Sequence, residues 1–453
     1  MYPHEYPGAL WYDQEEVDAV SKVISNKSPF RYYGVKCDKE VLNFEKELGE
    51  YLSTSSLSNK NQQNEVYVTA VNSGTGALEI ALDVLGVGSG DEVIVPGFMW
   101  ISSISAIIRS RAIPVLVDSD QTLGVDPEDL KVRISERTKV IMVVPMLGGS
   151  SKIGEIMEVV RNVNNSRKND NLSKIFVLED CAQSLGAHAF GIPGSSQASL
   201  PEGCYKLGTF GDIGTFSLQL NKDITAGEGG MVVTRDKELN DRVDALHNAG
   251  YIKKEKNNIN WYGDIPYGWG HGRRMSELQG AVARVQLKKL DNILDNIRKN
   301  YIYFEKIIND FGLKIRKQAY KYDSGDTGYY LCFHLPDHID DEIAISMGRK
   351  IAKDLKLKGF NVWFLHDFEV HIYYNIEPLV KKYPLNDGSP WGDPRNAFHV
   401  QYNYDRGALP NLDYLLIRTI GINMPSKMSD DIRVKMKSDL LNTLNYFFKS
   451  NSY

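Results

Sequence analysis

The chain has 453 residues, of which 42% are hydrophobic and 25% are charged, and its formal net charge is −5. This length predicts at least two domains, and the composition is that of a folded globular protein. The slightly acidic charge gives no electrostatic reason to expect nucleic acid or an anionic membrane as a partner. No secretory signal or long apolar run is found, which favours a cytoplasmic protein. The cysteines and histidines do not fall at metal-ligand spacings, so no metal is predicted.

Short apolar strands alternate with amphipathic helices from about residue 66 onward. The first strand pattern is EVYVTA, and the helix pattern SGTGALEIALDVLG follows it. Further strand-like segments are EVIVPG, IPVLVDS, KVIMVVPM and KIFVLED, with helical or polar segments between them. This alternation predicts an α/β fold, with a mostly parallel central sheet and helices on both faces.

The organisation beyond this sheet is predicted from patterns of charge and periodicity. Residues 276–311 predict one or two long helices that connect to a smaller C-terminal α+β domain. We therefore divide the chain into a large domain with an N-terminal arm, residues 1–285, and a small domain, residues 286–453. The polar runs at 53–64 and 162–174 predict exposed loops.

Polar residues follow several of the predicted strands, where an open parallel sheet binds its ligands. Asn72–Thr75 lies between a strand and a helix, and its N–H groups and hydroxyls suit either a phosphate or an ordinary helix cap. Asp180 ends the strand KIFVLED, where it could bind a positively charged ring nitrogen or cap the next helix. Trp100 follows another strand and could stack on a flat ring or belong to the core.

Lys222 lies between a short apolar strand and a glycine-rich turn, in the segment DIGTFSLQLNKDITAGEGGMVVT. A lysine at such a junction can be held in a pocket, as a covalent amine catalyst requires, although most lysines are solvated surface groups. A phosphate cradle, a stacking aromatic, an aspartate and a buried lysine together are what pyridoxal 5'-phosphate requires. The combination predicts a site for this cofactor.

Six segments in this chain, taken in order, resemble the sugar aminotransferases of the DegT/StrS type. They are NSGTGALEIAL, GDEVIVPGFMWISS, VLEDCAQSLGA, GDIGTFSL, Lys222 before DITAGEGG, and RRMSELQGAV with QLKKLDNI. The resemblance covers nearly the whole chain and implies a fold-type-I pyridoxal-phosphate-dependent transferase. It further implies a homodimer with shared active sites, which moves an amino group from glutamate or glutamine to a keto- or aldehydo-sugar. Such enzymes serve amino-sugar, cell-surface polysaccharide and lipopolysaccharide biosynthesis.

The resemblance also implies a role for individual residues. Lys222 would form the Schiff base with the cofactor and move the proton, and Asp180 would pair with the pyridine nitrogen. Gln183 matches the residue near the phenolic oxygen, and Trp100 matches the aromatic against the ring. The phosphate-binding positions that the resemblance implies are Gly74, Thr75 and Ser217.

The chain departs from the family pattern just before the segment RMSELQ. Many relatives have an asparagine there, which reaches the phosphate of the neighbouring subunit. Gly272 stands at that place in this chain, so either His271 or Arg273 substitutes for the asparagine or the contact is lost.

Acceptor-binding residues are expected in segments that differ most from the relatives. Arg31 and Tyr33, in the segment 28–34, lie where relatives place a segment near the substrate, so Arg31 could bind a carboxylate or phosphate. A surface arginine in a turn is an equally good interpretation. The aromatic-rich tracts 370–378 and 398–410 are expected to line the entrance, although such aromatics are more often core residues.

Other functions stay open at this point. One alternative is a dehydratase or lyase that uses the same cofactor, but relatives with that activity replace the lysine by histidine, and Lys222 is present. An aminocyclitol could replace the sugar as acceptor. A non-catalytic regulatory protein is disfavoured because Asp180, Gln183, Ser217 and Lys222 are all present.

Overall fold

The structure, a computed structural model, describes residues 6–53, 65–194, 202–253, 261–319 and 325–449. Its strands are, in chain order, β1 (Tyr67–Val71), β2 (Glu92–Pro96), β3 (Ile113–Val117), β4 (Thr138–Val143), β5 (Phe176–Asp180), β6 (His188–Gly191), β7 (Gly203–Lys206), β8 (Ile213–Ser217), β9 (Gly230–Thr234), β10 (Tyr251–Ile252), β11 (Ile265–Pro266), β12 (Lys314–Ile315), β13 (Tyr330–His334), β14 (Val362–Phe364) and β15 (Thr419–Asn423). Its α-helices are α1 (Gln14–Ser25), α2 (Glu40–Ser53), α3 (Gly74–Val84), α4 (Ile101–Arg109), α5 (Pro127–Arg133), α6 (Ile153–Asn169), α7 (Lys237–His247), α8 (Glu277–Phe311), α9 (Asp341–Leu357), α10 (Glu377–Val380), α11 (Pro410–Leu416) and α12 (Asp430–Phe448).

A seven-stranded sheet forms the centre of the large domain, in the order β1-β9-β8-β5-β4-β2-β3. The strands β8, β5, β4, β2 and β3 are parallel to one another, and β9 lies antiparallel between β8 and β1. Every residue of β2 and β3 is buried, as expected for parallel strands that are covered on both faces. The prediction of a mostly parallel α/β fold is confirmed.

Helices cover both faces of this sheet because neighbouring residues of one strand enter opposite cores. In β4, Ile141 and Val143 belong to the core that contains α2, α6 and α8. Val140 and Met142 of the same strand belong to the core that contains α3, α4 and α7. Side chains alternate along a strand, so β4 supplies two cores from four consecutive apolar residues.

One long helix, α8, connects the large domain to a smaller one. The helix begins at a capping box made by Ser276 and Gln279 and ends at Gly312, whose φ of 90° suits glycine. After it, the antiparallel sheet β12-β13-β15-β14 forms the centre of an α+β unit with α9 and α12. The predicted division at residue 285 falls inside α8, so the position of the boundary stays a prediction.

The C-terminal part of the chain does not stay within the small sheet. After β14 it returns to the carboxyl ends of β2 and β3. The N–H of Tyr373 donates to the carbonyl of Gly97 (2.9 Å), and the N–H of Asn411 donates to the carboxylate of Asp118 (3.0 Å). This return positions segment 365–416 beside the ligand-binding edge of the large sheet.

The loop predicted at 162–174 is largely helical, so that prediction was wrong. Helix α6 continues to Asn169 because two of its polar side chains, Asn164 and Arg167, bond to backbone groups outside the helix, with Asn164 pairing with the backbone N–H and carbonyl of Ile175. The guanidinium of Arg167 donates to the carbonyls of Ser135, Glu136 and Thr138. Periodicity of apolar residues gives no signal of such polar anchoring. The other predicted loop, 53–64, lies outside the described residues except for its first residue.

Two absences hold for the part of the chain that the structure describes. No helix there combines the length and the apolar character needed to cross a membrane. No group of three or more histidine, cysteine, aspartate or glutamate side chains there could hold a metal ion.

Candidate active site

The predicted cofactor-binding residues lie together at the carboxyl edge of the central sheet. Asp180 is the last residue of β5 and Ser217 is the last residue of β8, which pairs with β5 in parallel. Helix α3 begins shortly after β1, and α4 begins shortly after β2. Because the carboxyl ends of parallel strands meet at one edge, these elements surround one site.

The first turn of α3 forms a cradle of hydroxyls and free N–H groups. Ser73 caps the helix, and Gly74 lies so close to Ser217 that a Cβ on Gly74 would be 2.9 Å from the Cβ of Ser217. Thr75 shares a 2.9 Å hydrogen bond with Ser102, in the first turn of α4. Two helix N-termini and their hydroxyls thus face the same region. This arrangement suits a phosphate group.

Asp180 is a buried carboxylate without a cationic partner within ion-pair distance among the described residues. The hydroxyl of Ser103 donates to its Oδ2 (2.8 Å), and the N–H of Ala182 lies 3.4 Å from its Oδ1. Burial raises the pKa of Asp180, and the Ser103 hydrogen bond and the charge of Lys222 oppose that rise. A protonated ring nitrogen would stabilise the ionised carboxylate in such surroundings.

Glu179, the neighbouring carboxylate, faces away from Asp180 and has a structural role. It accepts hydrogen bonds from the N–H groups of Gly208, Phe210 and Gly211, each at 2.8 Å. Burial raises the pKa of Glu179, and these three N–H groups oppose the rise. Strand alternation therefore gives the two adjacent acids different functions: Glu179 fixes a loop and Asp180 faces the site.

The turn that carries Lys222 is held from several sides. The N–H of Lys222 donates to the carbonyl of Gln219 (3.0 Å), and its carbonyl accepts from the N–H of Gly8 (3.3 Å). The hydroxyl of Tyr329, just before β13, donates to the carbonyl of Asn221 (2.7 Å). The N-terminal segment and the small domain thus both fix the position of this lysine.

The amine of Lys222 lies near two carboxyl groups and an imidazole. Its positive charge opposes the burial-driven rise in the pKa of Asp180 and of Asp223, and burial raises the pKa of Asp223 to about 7. Burial and, to a smaller extent, the charge of Lys222 together lower the pKa of His371 to about 4, against the opposing effect of its hydrogen bond to Phe368. The Oδ1 of Asp223 has no hydrogen-bond partner among the described residues.

Trp100 and His371 form the aromatic side of the site. The Trp100 side chain is 45% exposed, and its ring lies 4.7 Å from that of His371. His371 stacks on Phe368 at 3.9 Å, and its Nδ1 donates to the carbonyl of Phe368. The imidazole is therefore neutral at pH 7, and its Nε2 is a hydrogen-bond acceptor. A half-exposed indole at a strand end suits stacking against a flat ring.

Most of the chain matches the sequence model of a known protein family. The model of the DegT/DnrJ/EryC1/StrS aminotransferase family matches residues 13–343. The chain belongs to this family. The resemblance predicted from six sequence segments is thereby confirmed.

Two relatives show the variety within the family. The chain is 37% identical over 260 residues to the GDP-perosamine synthase of Escherichia coli O157:H7, covering 57% of this chain and 63% of that protein. It is 32% identical over 269 residues to the L-glutamine:2-deoxy-scyllo-inosose aminotransferase of Streptomyces kanamyceticus, covering 58% of this chain and 57% of that protein. The chain thus spans less than two thirds of the length of these curated relatives.

Solved structures agree with the fold over nearly the full length. The X-ray structure of the aminotransferase from Psychrobacter cryohalolentis superposes with a TM-score of 0.71 at 23% identity, covering 98% of this chain and 99% of that one. The crystal structure of 3-amino-5-hydroxybenzoic acid synthase gives the same TM-score, identity and coverage. This likeness confirms the fold-type-I architecture.

The described residues fit the pyridoxal phosphate that the family resemblance implies. Asp180 offers a buried carboxylate to a ring nitrogen, Trp100 offers an indole face, and Lys222 offers an amine whose charge acts on the Asp180 carboxylate. Gln183 accepts from the N–H of Leu147 through its Oε1 (2.8 Å), so its NH₂ group is left to donate to a phenolic oxygen. The cradle at α3 suits the phosphate.

His271 and Arg273, which flank Gly272 at the position of the family asparagine, lie in different surroundings. His271 forms a 2.8 Å contact with Asp83, near the C-terminal end of α3. Arg273 pairs with Glu79, and its Cδ would lie 3.3 Å from a Cβ placed on Gly76 in the first turn of α3. Within one chain, Arg273 lies closer to the cradle than His271. The substitution of either residue for the family asparagine stays a prediction.

The two predicted acceptor-binding residues in segment 28–34 differ in exposure, because Arg31 is buried and Tyr33 is exposed. Arg31 donates to Glu45 (2.6 Å) and to the carbonyl of Ala70 (2.9 Å), and its side chain is 8% exposed. It anchors the segment to α2 and β1 and is not presented to solvent. Tyr33 is 59% exposed and packs against Phe30. The acceptor-binding role of both residues stays a prediction.

One aromatic tract lies partly away from the expected entrance. Tyr402 donates to Glu92 (2.6 Å) and Tyr404 donates to the carbonyl of Pro114 (2.7 Å), at the starts of β2 and β3. The first part of tract 398–410 therefore lies towards the amino ends of these strands, and that expectation was wrong. In tract 370–378, His371 does lie beside Trp100. Its position depends on backbone pairing with Met99, which no local sequence signal reveals.

Proposed function

We propose that this chain is a pyridoxal-phosphate-dependent aminotransferase that moves an amino group from glutamate or glutamine to the carbonyl of a sugar or sugar-like acceptor. The observation that carries the proposal is the position of Lys222. It lies on a fixed turn, and its charge acts on the buried carboxylate of Asp180. An amine and an aspartate so arranged, beside a phosphate cradle, are what this chemistry requires.

Each residue of the site has a separate role in the proposed reaction. When bound, the cofactor supplies an electron sink that allows an amine and a carbonyl to be exchanged. Asp180 would hold a proton on the ring nitrogen, and Ser103 orients that carboxylate. Lys222 would carry a proton to and from the substrate carbon through its Nζ. Trp100 and Gln183 would orient the ring, and the first turn of α3 would hold the phosphate.

The relatives support transfer of an amino group to the acceptor over elimination of water from it. The names of both curated relatives describe amine-forming enzymes, one acting on a GDP-linked sugar and one on a cyclitol ketone. A GDP-4-keto-6-deoxymannose-3-dehydratase has a similar structure at 20% identity, which shows the fold alone. Lys222 stands where dehydratase relatives have histidine, so nothing in this site favours elimination.

The assembly and setting form part of the same proposal. The family pattern supports a homodimer in which each subunit completes the other's site. Amino-sugar formation for cell-surface polysaccharide, including lipopolysaccharide, would take place in the cytoplasm, where nucleotide-linked sugars are made.

The test is transfer of ¹⁵N from amide- or amine-labelled glutamine or amine-labelled glutamate. The purified protein with pyridoxal phosphate is incubated with a panel of nucleotide-linked 4-keto sugars and with 2-deoxy-scyllo-inosose, and products are identified by mass spectrometry. We expect a ¹⁵N-amino product from at least one pair, and none from Lys222→Ala. The control Lys237→Ala removes an exposed lysine that pairs with Asp241. Equal labelling by Lys222→Ala, or dehydration without labelling, would overturn the proposal.

A further inference from the structure

A cavity of about 250 Å³ lies between the second half of α8 and the start of the small domain. It has room for one small organic molecule or for a few water molecules. Its polar lining residues are Arg298, Tyr301, Glu305, Gln318 and Asp326. The first three fall at i, i+3 and i+7 along α8, so their side chains project from one face of the helix. None of the five belongs to the predicted cofactor or acceptor site.

The hydroxyl of Tyr301 is buried without a hydrogen-bond partner among the described residues. Tyr301 as a whole is 4% exposed. Burial raises the pKa of this hydroxyl, the charge of Arg316 opposes the rise, and the charges of Glu305 and Asp326 add to it. Three charged groups therefore lie near the hydroxyl, but none of them forms a hydrogen bond with it. Buried polar atoms are rarely left without a partner, so this hydroxyl indicates a polar ligand group nearby.

Glu305 is an anion of the same cavity that no cation pairs with in the described part of the chain. Its carboxylate forms no hydrogen bond there either, although the side chain is partly buried. Burial raises the pKa of Glu305, and no neighbouring charge or hydrogen bond opposes that rise. An ammonium group bound beside this carboxylate would supply the missing partner.

The other charges of the cavity leave one cation on the same face of α8. Asp326 is neutralised by the guanidinium of Arg316 (2.5 Å). Arg298 donates through its Nε to the backbone carbonyl of Asp326 (3.1 Å) and forms no ion pair with Glu305. The two side chains start roughly 10 Å apart along the helix axis. One positive and one negative charge, separated in this way, suit a small molecule that carries both a carboxylate and an ammonium group.

The wall of the cavity that contains Asp326 continues to the candidate active site. The N–H of Thr327 donates to the carbonyl of Gly148 (2.9 Å), after the end of β4. Two residues further, the hydroxyl of Tyr329 donates to the carbonyl of Asn221 (2.7 Å), in the turn that carries the predicted covalent lysine. A ligand that orders segment 326–329 would therefore also order this turn.

We propose that this cavity is an effector site for a small amino acid without net charge. The ammonium group would bind Glu305, and the carboxylate would accept hydrogen bonds from Arg298 and from the Tyr301 hydroxyl. Gln318 would contact the side chain of the ligand. Glutamine belongs to this class, whereas glutamate has a second carboxylate that would meet Asp326. The site is additional to the proposed active site, so its existence does not depend on the proposed function.

Binding is tested with the full chain loaded with pyridoxal phosphate, by isothermal titration with L-glutamine. We expect Glu305→Gln and Tyr301→Phe each to weaken one binding event by about tenfold, because each removes a hydrogen bond to a charged group. The matched controls Asp310→Asn and Tyr303→Phe, on the same helix but outside the cavity, should leave that event unchanged. Propylamine, propionate and L-glutamate should bind there at least about tenfold more weakly than glutamine.

The effector role is tested by hydrogen exchange followed by mass spectrometry. Saturating L-glutamine should slow exchange in segments 326–329 and 219–223 by about threefold or more, and Glu305→Gln should reduce this protection in both. Tyr301→Phe removes an unsatisfied hydroxyl, so its Tm without ligand should not fall below that of the unaltered protein.

Two outcomes would overturn the proposal. Glutamine binding that neither Glu305→Gln nor Tyr301→Phe weakens, or no binding at all, would show that the cavity holds only water. Binding that depends on Glu305 but leaves exchange in segment 219–223 unchanged would remove the effector role. Intact binding in this cavity beside a missing donor reaction would instead contradict the proposed function and leave the effector site standing.

Discussion

Asp180 is the residue whose surroundings say most about the cofactor. It is 6% exposed, it accepts hydrogen bonds from the Ser103 hydroxyl and the Ala182 N–H, and no cation pairs with it among the described residues. A lone buried carboxylate is costly, and the cost is offset when a cationic ring nitrogen binds beside it. On the proposed function, the carboxylate would favour the protonated form of the ring.

Replacing Asp180 with asparagine should slow amino transfer by roughly 100-fold or more, because a neutral amide cannot hold the proton on the ring nitrogen. The measurement is the single-turnover rate of the donor reaction in stopped-flow absorbance. Ser103→Ala keeps the carboxylate and should lose much less. Normal rates in Asp180→Asn would remove the ring-nitrogen role.

Asp223 predicts a pH-dependent loss of stability. Its folded pKa is raised to about 7 by burial, whereas an unfolded aspartate titrates near 3.9. The stabilising contribution is thus full below about pH 4 and is lost as pH rises to about 7, by up to roughly 4 kcal/mol. Asp223→Asn removes this loss, so its Tm should exceed that of the unaltered protein increasingly from pH 4 to pH 7. A difference that is constant across pH would show that Asp223 keeps an ordinary pKa.

Among individual residues, those that belong to short sequence motifs could be predicted from the sequence. Lys222 and Asp180 are identifiable because the residues around them form recognisable segments next to a strand. His371 was missed because its place beside Trp100 comes from backbone pairing with Met99, far away in sequence. The hydrogen bond from Arg31 to Glu45 could not be predicted from the sequence either, because an arginine in a turn gives no indication of its partner.

At the scale of elements, the strand β5 and the loop 208–211 depend on each other. Glu179 accepts three backbone hydrogen bonds from this loop while it is almost completely buried. The loop leads directly into β8, which ends at Ser217. These three hydrogen bonds therefore help to fix the position of β8, which ends at Ser217 beside the phosphate cradle and leads on to Lys222.

Glu179→Gln should destabilise the protein by about 1–3 kcal/mol, because an amide can accept through only one oxygen and must bury an NH₂ group. Thermal unfolding followed by circular dichroism measures the change. The exposed Glu155→Gln, on α6, is the matched control. Unfolding at the same temperature as the unaltered protein would show that the three hydrogen bonds to Glu179 contribute nothing to stability.

Elements with strong periodicity could be predicted, and elements held by polar contacts could not. The strands of the central sheet and the single helix α8 follow from runs of apolar residues and their spacing. The last turns of α6 do not, because Arg167 is anchored by carbonyls of residues 135–138. In the same way, Tyr402 was expected at the entrance, but its hydroxyl is satisfied at the start of β2.

At the scale of the whole molecule, the site draws on both domains. The small domain contributes Tyr329, which holds the turn of Lys222, and the returning segment contributes His371. A division into domains by sequence alone could not show this return, because it depends on contacts between residues hundreds of positions apart. The roles of the predicted cofactor-binding and acceptor-binding residues stay predictions.

The proposed homodimer is testable through its exposed aromatic residues. Trp269 is 95% exposed, and Tyr262 and Tyr267 on the same segment are about two fifths exposed. Aromatic patches of this kind mark interfaces. We expect sedimentation at twice the 51.1 kDa chain mass, and a dimer weakened by about tenfold or more in Trp269→Glu. Tyr446→Glu, on the exposed side of α12, is the control. A fully active monomer would contradict shared sites.

The proposed function depends most on Lys222, which we propose is the covalent amine. The most direct measurement is the absorption spectrum of the purified protein with pyridoxal phosphate, before and after glutamate or glutamine, beside Lys222→Ala. We predict a yellow band that requires Lys222 and bleaches with one of the two donors, which identifies that donor. The same band and the same bleaching in Lys222→Ala would contradict the account.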